Sequence, residues 1–186
     1  MSVADQIDYD VQFMHAYFRQ LFVFADSAAS KTSEFLEGTA SSAFQPVGIS
    51  HLVRQDMVCN IYSLADFWLA NLCTHYQQRG RLTVTFDEFR KAVRKSNDLL
   101  RYQRYLTRVV SLDLTSARDS FRHLQALRQV RNCLIHRGGQ GPEKKREVIA
   151  KIPGISLHMS LVVVSESFIW GSLTHARQYL QAVAHA

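Results

Sequence analysis

The sequence predicts an all-α fold, a compact bundle of about five to six helices with a short β-strand or hairpin before the last one. Apolar residues recur at helical spacing through most of the chain. Alternating and β-branched residues are confined to a short stretch near residue 160. Ser, Asn and Gly fall where the periodic stretches begin and end, as caps and stops do. The 186 residues, 47% of them hydrophobic, suffice for one domain with a real core. We read 1–48 as a helix and loop leading into a core at 50–185, all within a single domain spanning 1–186.

The first helix is predicted from Asp5, as cap, to Lys31, with Ile7, Val11, Met14, Phe18, Leu21 and Ala25 on its apolar side. Residues 37–48 form a loop by their Gly, Ser and Pro content. Ser50 caps a second helix that runs to Gln78 and stops at Gly80. Met57, Ile61, Leu64, Phe67, Trp68, Leu69 and Leu72 make it a central helix, packed on more than one side. Asp66 is stranded among them. A short helix follows at Phe86–Lys95, then another to Ser111 capped by Ser96 or Asn97. Ser116 opens a helix to His136, and Gly138-Gly139 ends it. A basic loop spans 138–147. Residues 155–165 read as one strand, half of a hairpin with 148–153. Ser165 caps the last helix, which runs to Val183.

Net charge is +6 and the isoelectric point about 9.4, which favours an anionic partner, nucleic acid foremost. The charge is concentrated. Residues 79–108 hold nine basic side chains against three acidic ones, a net of +6 equal to that of the whole chain. Tyr102 and Tyr105 interleave with Arg101 and Arg104, a pattern of cations and stackable rings found on RNA-binding surfaces. The alternative is that the rings pack beneath a solvated basic face. Lys144, Lys145 and Arg146 add a second basic cluster.

Cys59, Cys73 and Cys133 are odd in number and lack zinc-ligand spacing, so they read as reduced packing residues of a cytoplasmic protein. The acidic start, Met1–Asp10, does not read as a signal peptide, and no apolar stretch is long enough to predict a membrane span. No cofactor or metal site is expected. Phosphate-loop and nucleophile-elbow patterns are missing. His51, His75, His123, His158 and His175 show no ligand spacing and read as scattered residues.

The run Arg131-Asn132-Cys133-Leu134-Ile135-His136-Arg137-Gly138-Gly139 carries the chemistry. Arg128, Asn132 and His136 repeat every four residues and form a polar ridge, opposite Leu124, Leu127, Val130, Leu134 and Ile135. Arg131 falls instead on the apolar side, between Leu127 and Leu124. A buried guanidinium needs an acceptor, and Asp66 is the natural one; otherwise the position must line a cleft or subunit interface. His136 lies in the last helical turn. There the negative end of the helix dipole favours imidazolium and keeps the ring titratable near neutrality, as a general acid or base requires.

Arg131-Asn132-x-x-x-His136, near the end of the penultimate helix of a small helical domain, resembles the signature of the HEPN superfamily. The Gly-rich exit matches, as does an earlier long helix with an acidic residue near a tyrosine, here Tyr62 and Asp66. Family members more often have Glu there, so Asp66 has a shorter reach. The resemblance covers roughly residues 50–185. It implies a metal-independent endoribonuclease of toxin or phage-defence type. Two copies would dimerise so that their motifs meet in one cleft, and an antitoxin or other regulatory protein is an expected partner. In that reading Arg131 stabilises phosphate charge, Asn132 orients, and His136 moves the proton, with Asp66 and Arg128 in support. A family variant carries a modifiable Tyr two residues after the His; here that position is Gly138. The alternatives are a non-catalytic HEPN-like domain that binds RNA or nucleotides or serves as an adaptor, and a purely structural oligomerisation module.

Overall fold

A computed structural model describes residues 1–36, 49–94, 96–137, 146–158 and 161–186; the side chains of 28–36, 49, 136, 137, 146 and 147 lie outside that description. The predicted loop at 37–48 and most of the basic loop at 138–147, with Lys144 and Lys145, therefore lie outside the described residues.

The architecture is an all-α bundle with a β-hairpin just before the final helix, as the sequence predicts. In chain order come α1 (Val3–Leu36), α2 (Ile49–Gly80), α3 (Phe86–Ala92), α4 (Asp98–Arg108), a single 3₁₀ turn (Thr115–Ala117), α5 (Arg118–Arg137), α6 (Arg146–Ala150), β1 (Ile155–His158), β2 (Leu161–Val164) and α7 (Glu166–His185). The bundle is built on α1, α2, α5 and α7, with α2 also touching α3, α4 and β2. That central place follows from its sequence. Met57, Val58, Ile61, Ala65, Trp68, Leu69, Leu72 and Cys73 are all buried and, at about 100° per residue, span an arc of about 160° that packs against several neighbours.

Local chemistry sets the boundaries. α1 begins two residues earlier than expected because Ser2, not Asp5, is its cap. The Asp5 amide donates to Ser2 Oγ at 3.1 Å, and the Ser2 amide donates back to Asp5 Oδ2 at 2.8 Å. Thr85 and Glu88 form the same reciprocal box at α3, while Asn97 caps α4 and Ser165 caps α7. Gly80 is the last residue of α2 and does not terminate it. The left-handed position falls on Arg81, at φ 47°, whose amide and that of Leu82 close the helix on Gln78 and Gln77.

The hairpin differs from the expected one. Residues 146–150 are helical, and Ile155–Val164 folds back on itself, with Ile155 opposite Val164 and His158 opposite Leu161. Val162 and Val164, buried on one side of β2, seat this hairpin against α2 and α5. Gly154 makes the approach possible. It has φ +80°, and a Cβ there would stand 2.6 Å from Ser165 Oγ and 2.9 Å from Phe168 Cβ.

Candidate functional site

α5 is held by Phe121, Leu124, Leu127, Val130, Cys133 and Leu134, all buried against α2 and α7. Near its C-terminal end the covering layer thins on one side. Arg131 is half-buried, and Ile135, one turn beyond and predicted to be core, is 48% exposed. The face that is core at Leu124 and Leu127 is therefore open at 131 and 135.

The Arg131 guanidinium lies over the Tyr62 ring, 5.3 Å from its centroid, and its Nη1 donates to Asn132 Oδ1 at 3.2 Å. This geometry gives cation–π attraction of about 0.5–2 kcal/mol. The expected Arg131–Asp66 ion pair does not form. Among the described residues the ion pairs are Arg90–Asp87, Arg101–Asp98, Arg122–Asp119 and Arg177–Asp8. Tyr62, one turn before Asp66 on α2, takes the cation instead, and Arg131 reaches Asp66 only through its field. Burial raises the Asp66 pKa from its ordinary value. The charge of Asp98 adds to this, while hydrogen bonding from Tyr102 and the charges of Arg131 and Arg90 oppose it. The Tyr62 hydroxyl is raised too, by burial and then by Asp66, against the pull of Arg128 and Arg131. The fold thus brings Arg128, Arg131, Asn132, Tyr62 and Asp66 into one electrostatic neighbourhood. The backbone of α5 extends past position 136, one turn beyond Asn132, but the His136 side chain lies outside the described residues.

The basic segment is built differently from a stacking platform. Tyr102 and Tyr105 are buried, so of the two readings the structure favours rings packed beneath the basic face and not rings offered to bases. Tyr102 stacks on Phe86 with centroids 4.7 Å apart, and the Tyr105 hydroxyl donates to the Val84 carbonyl at 2.8 Å. Arg101 works as a clamp between α3 and α4. Its Nε donates to Val93 O at 3.2 Å, Nη2 to Arg94 O at 2.9 Å and Nη1 to Asp98 Oδ1 at 2.7 Å. Arg104 donates to Ser96 Oγ. Arg146 opens α6, and its side chain lies outside the described residues.

His123 and His175, scattered residues by their sequence spacing, come together in the fold. Ser-x-x-His occurs on α5 as Ser120…His123 and on α7 as Ser172…His175, and the two copies interlock. His123 Nε2 meets Ser172 Oγ at 2.9 Å, and His175 Nδ1 meets Ser120 Oγ at 3.1 Å. The imidazoles stack with centroids 4.4 Å apart. Ser120 donates its hydroxyl proton to Gln178 Oε1, so it accepts from His175. Burial, with His175 adding to it, pushes the His123 pKa down to about 4. Ser172 is fully buried and Ser120 nearly so, which makes this clasp a joint between helices and not an open catalytic dyad. The repeated Ser-x-x-His was the signal available; only the packing of α5 on α7 reveals its meaning.

A cleft of about 620 Å³ runs between α1 and α7, lined by Gln12, His15, Trp170, Arg177 and Gln181 among others, and none of the predicted site residues lines it. Arg177 there is already held by Asp8, at 2.9 and 3.1 Å. Among the described residues no three or more His, Cys, Asp or Glu side chains are grouped to hold a metal ion. No described helix is long and apolar enough to cross a membrane. No protein-family model matches the sequence, and no curated protein or solved structure shows significant similarity to it.

Proposed function

We propose that this chain is a HEPN-like endoribonuclease of toxin or phage-defence type, cleaving RNA at a site shared by two copies in the cytoplasm and restrained by a partner protein such as an antitoxin. The observation that carries the reading is the setting of Arg131. It is a cation on the open side of an otherwise buried face, fixed by the Tyr62 ring and Asn132 and not neutralised by a carboxylate contact. A guanidinium held this way is free to take a phosphate oxygen. His136 belongs to the same helix, one turn from Asn132.

The chemistry follows from these roles. His136 of one copy removes the ribose 2′-OH proton. The 2′-oxygen bonds to phosphorus and the P–O5′ bond breaks. His136 of the second copy protonates the departing 5′-oxygen, leaving a 2′,3′-cyclic phosphate and a 5′-hydroxyl. Arg131 stabilises the charge that builds on the phosphate. The need for a 2′-OH makes RNA the substrate.

The test is cleavage of total RNA by the wild type, His136→Ala and Arg131→Ala. Loss of the general acid–base in His136→Ala is expected to cost about 10²–10⁴-fold in rate, and loss of charge stabilisation in Arg131→Ala about 10²–10³-fold, with helix content unchanged. Wild-type cleavage by His136→Ala overturns the assignment. RNA binding without cleavage by stoichiometric wild-type protein supports the non-catalytic alternative.

A further inference from the structure

We propose that an exposed aromatic stripe on α1, together with Phe67 of α2, is the face on which a second copy of this chain docks. α1 turns Ile7, Val11, Phe18, Phe22 and Ala25 inward. At about 100° per residue, Tyr9, Phe13, Tyr17 and Phe24 share a different arc, roughly 80° wide. These rings are 64%, 68%, 43% and 59% exposed, and Phe67 is 57% exposed. Phe67 is placed relative to the stripe and the candidate site by its two chain neighbours. It follows Asp66, which feels Tyr102 and Arg131, and precedes Trp68, whose Nε1 donates to Asp10 of α1 at 3.0 Å. On the surface of α2 it therefore lies between the motif side and the α1 side.

Single exposed apolar residues are ordinary, but a run of five rings marks an interaction surface. With about 200 Å² of surface per ring, these exposures leave about 550–600 Å² of ring in water on each copy. Two-fold pairing would bury about twice that, above the roughly 1,000 Å² that a specific interface needs. Charge favours a like copy. Between residues 6 and 27, the other positions on this arc are Gln6, Gln20 and Ser27, so two copies of a chain with net charge +6 can meet here without opposing cations. A face that spans α1 and Phe67 of α2 complements itself when a two-fold axis crosses it. Taking a second copy as occupant rests on the shared-site reading above.

Sedimentation velocity on the full chain tests the face. The wild type is expected to be a dimer, and Phe13→Glu combined with Tyr17→Glu to weaken it by at least about 100-fold, because charge is placed at a buried aromatic centre. Circular dichroism should not change, since both rings are exposed. Val148→Glu, at an exposed residue of α6, should leave the dimer intact. A monomeric wild type, a double variant that stays dimeric, or equal disruption by Val148→Glu overturns the proposal. RNA cleavage separates the two readings. A double variant that remains dimeric and cleaves removes the face and leaves the ribonuclease. A monomeric variant that cleaves at the wild-type rate keeps the face and removes the shared site.

Discussion

Arg131 rests on the ring of Tyr62, 5.3 Å from guanidinium carbon to ring centroid, where the sequence pointed to a carboxylate partner. A ring holds a cation in place without discharging it, as a carboxylate contact would. Tyr62→Leu should release Arg131, whereas Tyr62→Phe keeps the ring face and should behave nearly as wild type. With about 0.5–2 kcal/mol in the contact, Tyr62→Leu should lower kcat/KM for RNA cleavage about 3–30-fold. Equal activities in the two variants would mean that the ring does not position the arginine.

Asp66 is a charge in a costly place. Burial and Asp98 raise its pKa, so the folded chain disfavours the carboxylate that exists at neutral pH. Asp66→Asn removes the ionised group and keeps an acceptor for Tyr102. It should raise the urea midpoint at pH 7, and the gain should shrink as pH falls and the wild-type carboxyl protonates in the fold. If Asp66 also supports Arg131, the same variant will cleave RNA more slowly, the usual opposition of stability and activity at a functional position. A variant that is neither more stable nor slower would leave Asp66 without a role.

How far the sequence could be read depended on the range of the interaction. Caps at Asn97 and Ser165 are local, and both stand where the side-chain chemistry put them. The hairpin falls elsewhere than expected because alternation marks extended chain but not where it reverses; one apparent strand is two. Periodicity put Arg131 on the correct face of α5. It could not show that the face opens before the helix ends, which depends on what packs over each turn of α5. Tyr102 and Tyr105 looked like stacking residues because cations flank them. Their burial depends on Phe86, brought over from α3. The histidine clasp needed both α5 and α7 in view at once.

That clasp predicts an acid-sensitive stability. His123 is held down at about pKa 4 in the fold, against an ordinary value of 6.5. Below pH 6.5 the unfolded chain takes up a proton that the folded chain refuses until near pH 4. The stability from neutral His123 is therefore complete above pH 6.5 and is lost as pH falls toward 4. Because the ring is partly exposed, solvent screening limits the loss to about 1–2 kcal/mol. Urea unfolding at pH 7 and pH 5 should show a clear drop for the wild type and a smaller one for His123→Gln, which keeps a hydrogen-bonding group for Ser172. Identical drops would place the acid sensitivity elsewhere.

Arg101 separates structural charge from charge available to RNA. Three of its donors satisfy two carbonyls at the end of α3 and the Asp98 carboxylate, and its side chain is only 18% exposed. Arg101→Ala should cost about 1–2 kcal/mol of stability in urea unfolding, because those carbonyls are left without their partner. Arg90→Ala, at a pair whose side chains are 50% and 73% exposed, should stay within about 0.5 kcal/mol of wild type. The electrostatic question then belongs to the exposed Arg90 and Arg94. Reversing both to Glu should weaken RNA binding and lower the salt slope by about 0.7–1 for each phosphate no longer neutralised, with the fold intact. An unchanged slope would make this segment a solvated face whose charges serve the protein alone.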